Sequence, residues 1–350
     1  MRHRIIIVLI LLLLLTARNK IHAQAPFFSQ YYSSSLYLNP ALAGLEKDTY
    51  MGMNYRSQWS NLSMPFITFQ FSFIQPVTKP GARKKHLGGI GLSYFKDVAG
   101  ANKEFVTQGI SLAAAHNFHL NRHGNNIISS AIQAGASQQR INYDGLQWTS
   151  QYSSNTGFDQ SLPGETGFVN DRIFQPMLNV GAMWYYTNKQ RNLSYYSTSV
   201  YNGLSVSNII PTNGYYANSK ERMSLLYKIH GGFTSTWSRN MDISPNYLVQ
   251  WQDHNLQINV GMYVGYSVTN AKLKSKSGAT KILVGAWYRM KDAIILSCGV
   301  SNEQWNLGFS YDSNVFQLSK TFGYGSSYEL SLAYKVLNKN GFKRFSSPLI

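Results

Sequence analysis

Beyond residue 48 the dominant pattern along the chain is alternation with a period of two. Ile67, Phe69, Phe71 and Phe73 alternate with Thr68, Gln70 and Ser72. Between Gln257 and Tyr266, one face carries Ile258, Val260, Met262, Val264 and Tyr266, and the other Gln257, Asn259, Gly261, Tyr263 and Gly265. Near the C-terminus Tyr328, Leu330, Leu332, Tyr334 and Val336 oppose Ser327, Glu329, Ser331, Ala333 and Lys335. Successive side chains of a strand point to opposite faces, so these segments are strands with one apolar and one polar side. At about 3.3 Å per residue, segments of this length cross a tilted bilayer wall. One face suits lipid and the other an aqueous interior.

The same pattern predicts strands near 49–59, 66–76, 87–96, 105–118, 127–140, 177–187, 198–208, 225–237, 242–251, 254–267, 281–290, 293–301, 304–312 and 326–336. That is fourteen segments, an even number, as in single-chain bacterial outer-membrane barrels. The segment 242–251 fits least well, because Pro245 has no N–H to give to a ladder. No repeat longer than a hairpin is visible, and nothing reads as a linker between domains. The expected fold is all-β, a transmembrane antiparallel β-barrel of about 14 strands over residues 49–336, with a tail at 337–350.

The N-terminus sets the compartment. Arg2, His3 and Arg4 precede an unbroken apolar run of eleven residues, Ile5 to Leu15. A membrane-spanning helix needs about 20 apolar residues, so the run has the length of a signal-peptide core. Ala23-Gln24-Ala25 offers one cleavage point, but it leaves Pro26 directly after the cut. Cleavage after Ala23, with Gln24 as the new N-terminus, is the preferred reading; Arg18 and Lys20 are unusual neighbours for it, and a retained anchor is the alternative. The expected organisation is then a signal peptide at 1–23 and a periplasmic or lumen segment at 24–48. That segment is long enough to fold back inside the barrel and plug it.

Composition agrees with this class. Charged residues make up 13% of the chain, about half the share usual in soluble domains. Aromatic residues reach 14%, with 24 Tyr, and Gly is plentiful. Mean hydropathy is nevertheless only -0.23, and past the leader no stretch approaches a transmembrane helix. The competing class, a large secreted β-sandwich or propeller, normally carries more surface charge. Removing residues 1–23 takes Arg2, Arg4, Arg18 and Lys20 and leaves 28 basic against 15 acidic side chains, or +13. Such a balance can indicate nucleic acid, but an exported chain rarely meets it, and no nucleic-acid partner is expected. Cys298 is the only cysteine, which excludes an internal disulfide and a thiolate metal cage.

The connections orient the barrel. With both termini periplasmic, five of the six periplasmic turns are basic: Lys79 to His86, Arg122 with His123, Lys189 with Arg191, Arg239, and Lys272 to Lys276. The sixth, around Glu303, is not. The longest connection, Ile141 to Pro176, is then extracellular, where barrels keep their long loops. It carries Asp144, Asp159, Glu165 and Asp171 against Arg172 alone. Its aromatics, Tyr143, Trp148, Tyr152, Phe158, Phe168 and Phe174, argue against plain disorder. They are candidates for contact with a partner, or for a lid over the barrel mouth.

Chemistry is sparse. His116, His119 and His123 resemble a metal cluster, but on a strand His116 and His119 point to opposite faces. Asn61-Leu62-Ser63 and Asn192-Leu193-Ser194 match a glycosylation pattern that arises by chance at this Asn and Ser content. No phosphate-cradling loop or nucleophile triad stands out, so no cofactor, metal or catalytic residue is expected. Arg56, Arg289, Asp312 and Glu329 all fall on the polar face of their strands. Closing the barrel sets the first strand beside the last, so Arg56 and Glu329 become candidates for an ion pair across the seam. Structural lumen charges are one reading of these four, and substrate or partner contact the other.

Several segments also carry a resemblance to a known family. Gln24-Ala25-Pro26-Phe27-Phe28-Ser29-Gln30-Tyr31, Leu38-Asn39-Pro40-Ala41-Leu42-Ala43-Gly44 and Tyr55-Arg56-Ser57-Gln58-Trp59 resemble the opening of the PorP/SprF family. Gly203-Leu204-Ser205-Val206-Ser207, Gly308-Phe309-Ser310-Tyr311-Asp312 and Ser327-Tyr328-Glu329-Leu330 are similar to its mid-barrel and closing strands. Tyr328 and Asn208 stand where the family commonly has His. The resemblance implies an outer-membrane protein of the Bacteroidetes type IX secretion and gliding system, not an enzyme. It also implies that the barrel helps export, or anchors at the cell surface, a large secreted partner with a type IX C-terminal signal domain, alongside other secretion components and outer-membrane lipid. A channel for hydrophobic or small solutes is the rival reading, and a barrel enzyme the third.

Overall fold

The computed structural model describes residues 26–60, 65–79, 85–100, 103–121, 124–142, 146–153, 157–159, 161–164, 172–188, 198–211, 223–238, 240–268, 280–314 and 326–337. Outside these fall the expected signal peptide, Gln24, Ala25, both glycosylation-like triplets and residues 338–350 of the tail. So do His123, Tyr143, Asp144, Glu165, Phe168, Asp171 and most of the basic-turn residues.

Fourteen strands close into one antiparallel barrel, each paired with its neighbours in sequence and the last with the first. They are β1 (Thr49–Gln58), β2 (Phe66–Lys79), β3 (Lys85–Ala99), β4 (Phe105–His119), β5 (Asn126–Ile141), β6 (Arg172–Thr187) and β7 (Thr198–Ser207). The second half comprises β8 (Leu226–Ser238), β9 (Met241–Gln252), β10 (Asn255–Ser267), β11 (Lys281–Arg289), β12 (Ala293–Ser301), β13 (Trp305–Asn314) and β14 (Ser326–Val336).

The alternation read from the sequence sorts the side chains. On β1, Met51, Met53 and Tyr55 are exposed on the outside while Tyr50, Asn54 and Arg56 are buried inside. On β10, Val260, Met262 and Tyr266 face out while Asn259 and Tyr263 face in. An exposed apolar belt around a closed barrel is what a bilayer covers. Closure also pairs every edge strand, which removes the unsatisfied backbone groups that hydrocarbon does not tolerate.

β6 starts earlier than the sequence expectation, while β9 matches it despite its proline, each for a local reason. β6 starts at Arg172, not near 177, so Phe174 belongs to a strand and not to the long loop. It is exposed on the outer face, where a lipid-covered wall accommodates it. Pro176 within this stretch pairs with Ala136 of β5, while pairing with β7 begins only at Val180. A residue without an N–H is tolerated where only one neighbour is present. In β9, Pro245 registers with Met262 of β10. On its other side the register with β8 runs to Gly232↔Asn246 and resumes at Ser235↔Ile243, leaving the ladder open beside the proline.

Ahead of β1, residues 31–44 form three short helices, Tyr31–Ser33, Ser35–Leu38 and Pro40–Gly44. Asn39 caps the third. Its side-chain oxygen accepts from the N–H of Ala41 at 2.9 Å, and Pro40 takes the first helical position, where no N–H is needed. This segment touches inward-facing residues all round the ring, from Ser129 on β5 through Ser205 on β7 and Asn246 on β9 to Glu329 on β14. It therefore lies within the barrel.

Its direction was not legible in the sequence. Strand order places the 142–171 connection, Gln58, Arg289, Asn314 and Ser326 at one end of the barrel, here the loop end, and Thr49 and Val336 at the other. Phe27 packs beside Arg56 and Arg289, near the loop end. The first described residues thus stand at the end opposite Thr49, and the two chain termini, expected on one side, lie outside the described residues. The charges that hold them supply the reason.

Candidate functional site

The candidate site has two parts: the wall of the loop-end lumen that grips residues 27–30, and the folded part of the long loop.

The grip is built on β1, β14, β13 and β11, with β12 between the last two. Arg56 of β1 stands directly opposite Glu329 of β14, and Ser310 of β13 opposite the same Glu329. Arg56 Nη2 and Arg289 Nη2 each reach Asp312 Oδ2 at 3.0 Å. Arg56 Nε stands 3.9 Å from Glu329 Oε2, a looser contact. All four side chains are buried, so all four residues that the sequence singled out as lumen charges come together. Arg289 also extends to Asp292 in the following turn at 2.5 Å. Burying charges is costly unless they are paired and hydrogen-bonded, and such pairs fix register more reliably than they add stability.

Sequence reasoning missed what these charges hold. The backbone N–H groups of Ser29 and Gln30 donate to the two oxygens of Glu329 at 2.7 and 3.2 Å. Ser29 Oγ donates to Asp312 Oδ2 at 2.5 Å and accepts from Arg289 Nη1 at 3.1 Å. Gln30 Nε2 donates to the Glu329 carbonyl at 3.0 Å, and Gln30 Oε1 accepts from Ser331 Oγ at 2.7 Å. The Phe27 ring lies within cation–π distance of both guanidiniums, 4.4 Å from Arg56 Cζ and 4.7 Å from Arg289 Cζ. Charge-assisted bonds to backbone N–H groups are roughly twice as strong as neutral ones. The only hint in the sequence was that these residues and their strands share family-like motifs.

Deeper in the lumen the contacts turn apolar. Tyr31, Tyr32, Leu36, Leu38, Ala41 and Leu42 form a buried cluster with wall residues that include Tyr263, Leu283, Trp287 and Ile295. The interior is therefore a packed core along part of its length, not the uniformly wet face that alternation suggested. Tyr32 stacks on Trp287 and shares a 2.6 Å hydrogen bond with Tyr263. Tyr31 donates to Asn246, which also accepts from Trp287 Nε1. Burial pushes the Tyr31 and Tyr32 phenols well above their ordinary range, so both stay neutral.

The segment is pinned at two further levels. Asn39 Nδ2 donates to the Ala182 and Leu204 carbonyls at 3.2 Å and lies 3.1 Å from His230 Nε2. Lys228 Nζ donates to the Tyr37 carbonyl at 2.7 Å over the Tyr37 ring. At the far end Asn117 Nδ2 donates to the Gly44 carbonyl at 2.5 Å, and Lys335 pairs with Glu46 at 3.4 Å. The wall approaches closely here: a Cβ on Gly89 would stand 2.0 Å from the Ala43 carbonyl oxygen.

The second part, residues 146–153, 157–159 and 161–164, folds on itself. Tyr152 and Phe158 pair across a two-residue ladder. Gln151 Nε2 donates to the Leu162 carbonyl at 2.9 Å, and Gln151 Oε1 accepts from the Trp148 N–H at 3.1 Å. Asp159 accepts from the N–H and hydroxyl of Ser161, which hold its carboxyl below the usual range. Tyr152, Phe158 and Leu162 are exposed, while Trp148 is half-buried. Of the six loop aromatics, Trp148, Tyr152 and Phe158 thus belong to this fold, and Phe174 belongs to β6. His116, from the histidine group, lies edge-on to Phe118 on the outer face of β4.

A family model described as the type IX secretion system membrane protein PorP/SprF matches residues 21–334. No curated protein matches the chain. Solved structures of similar outline include the toluene transporter TbuX of Ralstonia pickettii, 11% identical, covering 87% of this chain and 93% of that one, with a TM-score of 0.45. They also include a FadL homologue of Pseudomonas aeruginosa, 11% identical, covering 86% and 94%, TM-score 0.42. A third is the β domain of the Bordetella autotransporter BrkA, 11% identical, covering 82% and 98%, TM-score 0.39.

Proposed function

The chain belongs to the PorP/SprF family of type IX secretion system membrane proteins and is an outer-membrane β-barrel, and on that footing we propose that it is a closed barrel that holds a secreted protein at the cell surface. The loop end faces outward in this reading, as long loops do in outer-membrane barrels. The observation that carries it is the packed lumen. Residues 26–48 are tied into the wall from Glu329 near one end to Asn117 near the other, which suits an anchoring platform better than a conduit.

The folded loop supplies the second support. A connection of this length without long strands is usually functional or disordered, and this one is ordered around Gln151 with Tyr152 and Phe158 exposed. Exposed aromatics on a fixed scaffold give rigid contact area for a partner. The partner expected from the family is a large secreted protein with a type IX C-terminal signal domain, in company with other secretion components. No catalytic step is proposed.

The experiment is purification of the barrel from its native outer membrane in mild detergent, with identification of what accompanies it. A large secreted protein recovered in stoichiometric amount supports anchoring. Recovery of the barrel alone, with a large steady conductance in planar bilayers, would favour a channel instead.

A further inference from the structure

The wall around residues 27–30 has the chemistry of a peptide-binding cradle. It grips backbone N–H groups with a carboxylate, a hydroxyl with Asp312 and Arg289, an amide with Ser331 and a backbone carbonyl, and an aromatic ring with two guanidiniums. Main-chain bonds combined with side-chain pockets are a recurrent way of binding peptides, and here Ser29 and Gln30 offer their N–H groups side by side from a turn that leads into the helix Tyr31–Ser33.

The resident segment does not use all of it. Asp312 Oδ1, Asn54 Oδ1 and Arg56 Nε are buried and have no hydrogen-bond partner. Each lies on a residue that already contacts the segment or Glu329: Arg56 Nη1 donates to the Phe27 carbonyl at 3.3 Å, and Asn54 Nδ2 to Glu329 Oε1 at 3.1 Å. A buried polar atom left unpaired has lost its water without a replacement partner, which favours any ligand that supplies one. Two acceptors and one donor are therefore left unused at the cradle. The cradle also sits toward the loop end, and Pro26 and Phe27 are only half-buried, so the resident is held most openly where another chain would enter.

We infer that this cradle is an exchangeable peptide site: the chain's own residues 27–30 are its resident ligand, and a turn-forming segment of a partner, with an aromatic side chain followed by hydroxyl and amide side chains, takes their place from the loop end. The inference rests on the reading that the loop end faces the partner, and it adds where inside the barrel part of that partner is held. A competitor carrying one more donor than the resident gains Asp312 Oδ1 or Asn54 Oδ1 as an acceptor. Exchange breaks no covalent bond, and the deeper pins at Asn39 and Asn117 keep the rest of the segment in place.

The test uses a fluorescent synthetic peptide copying residues 25–32, a scrambled peptide of the same composition, and the purified full chain. Ser29→Ala with Gln30→Ala weakens the resident and leaves the cradle intact. This variant should bind the copied peptide roughly tenfold more tightly than the unaltered chain does, about the worth of one or two lost hydrogen bonds. Adding Glu329→Gln and Asp312→Asn, measured at a temperature where the band still migrates as a folded barrel, should abolish that binding. The exchange is refuted if the weakened variant, still migrating as a folded barrel, binds the copied and scrambled peptides alike. Should that variant not fold, a photo-crosslinking residue at Phe27 in the otherwise unaltered chain gives the second readout. Excess copied peptide should suppress its cross-link to the wall, and an undiminished cross-link overturns the proposal. Because no cellular partner enters these measurements, they fail or succeed independently of partner retention on cells.

Discussion

Arg56 and Glu329 face each other across the seam where the barrel closes, yet their nearest charged atoms are 3.9 Å apart, and each makes shorter bonds elsewhere. Arg56 turns to Asp312, and Glu329 to the backbone of Ser29 and Gln30. The seam is thus tied partly through the N-terminal segment, which is covalently continuous with β1 and hydrogen-bonded to β14.

Glu329→Gln should destabilise the folded barrel more than an ordinary surface change. Breaking one side of a buried charged network costs about 3–5 kcal/mol, because the remaining charges lose their compensation. The temperature at which the band shifts to its unfolded position in heat-modifiability gels should fall clearly. An unchanged transition would mean that the carboxylate is dispensable to the seam.

Gly89→Val tests the close approach of the segment to β3. The added side chain meets the Ala43 carbonyl, a backbone atom that cannot swing aside. The barrel should still close, since its ladders are untouched, while residues 36–44 lose protection in hydrogen exchange. Protection equal to the unaltered chain would show that the helix Pro40–Gly44 accommodates the change.

Conductance tests the packed lumen. The full chain should give no large, steady current in planar bilayers, and a variant lacking residues 27–44 should open one. A current of similar size in both would mean that the segment does not close the path.

Most of the wall was legible in the sequence because alternation of large apolar and polar residues is imposed by lipid on one side only, at every strand. Even β9 could be read through Pro245, since the ladder to β10 continues past it. The start of β6 was hidden because Phe174 and Pro176 look like loop residues until the stagger between β6 and β7 is known. The four lumen charges were visible from their parity along the strands. Ser29, Gln30, Asn39 and Lys228 were not, because their partners lie between 143 and 301 residues away and depend on which way the segment runs. Nothing in a period-two pattern encodes that direction.

Orientation can be read on intact cells. Surface protease should cut within 141–176 and spare 79–86, as expected if the loop end is outside. Cleavage confined to 79–86 would invert the barrel.

The central claim, that the loop end holds a secreted protein, is tested most directly by deleting residues 151–167 from the chromosomal copy. The ladder of β5 and β6 lies outside the deletion, so the barrel should remain in the outer membrane and stay heat-modifiable. The quantity to measure is the amount of the co-purifying secreted partner that remains attached to the cell surface, compared with cells carrying the intact loop. Loss of the partner to the medium, with the barrel at its normal level, is the predicted result. Full retention of the partner on cells carrying the deletion would contradict the account and leave the loop without a part in docking.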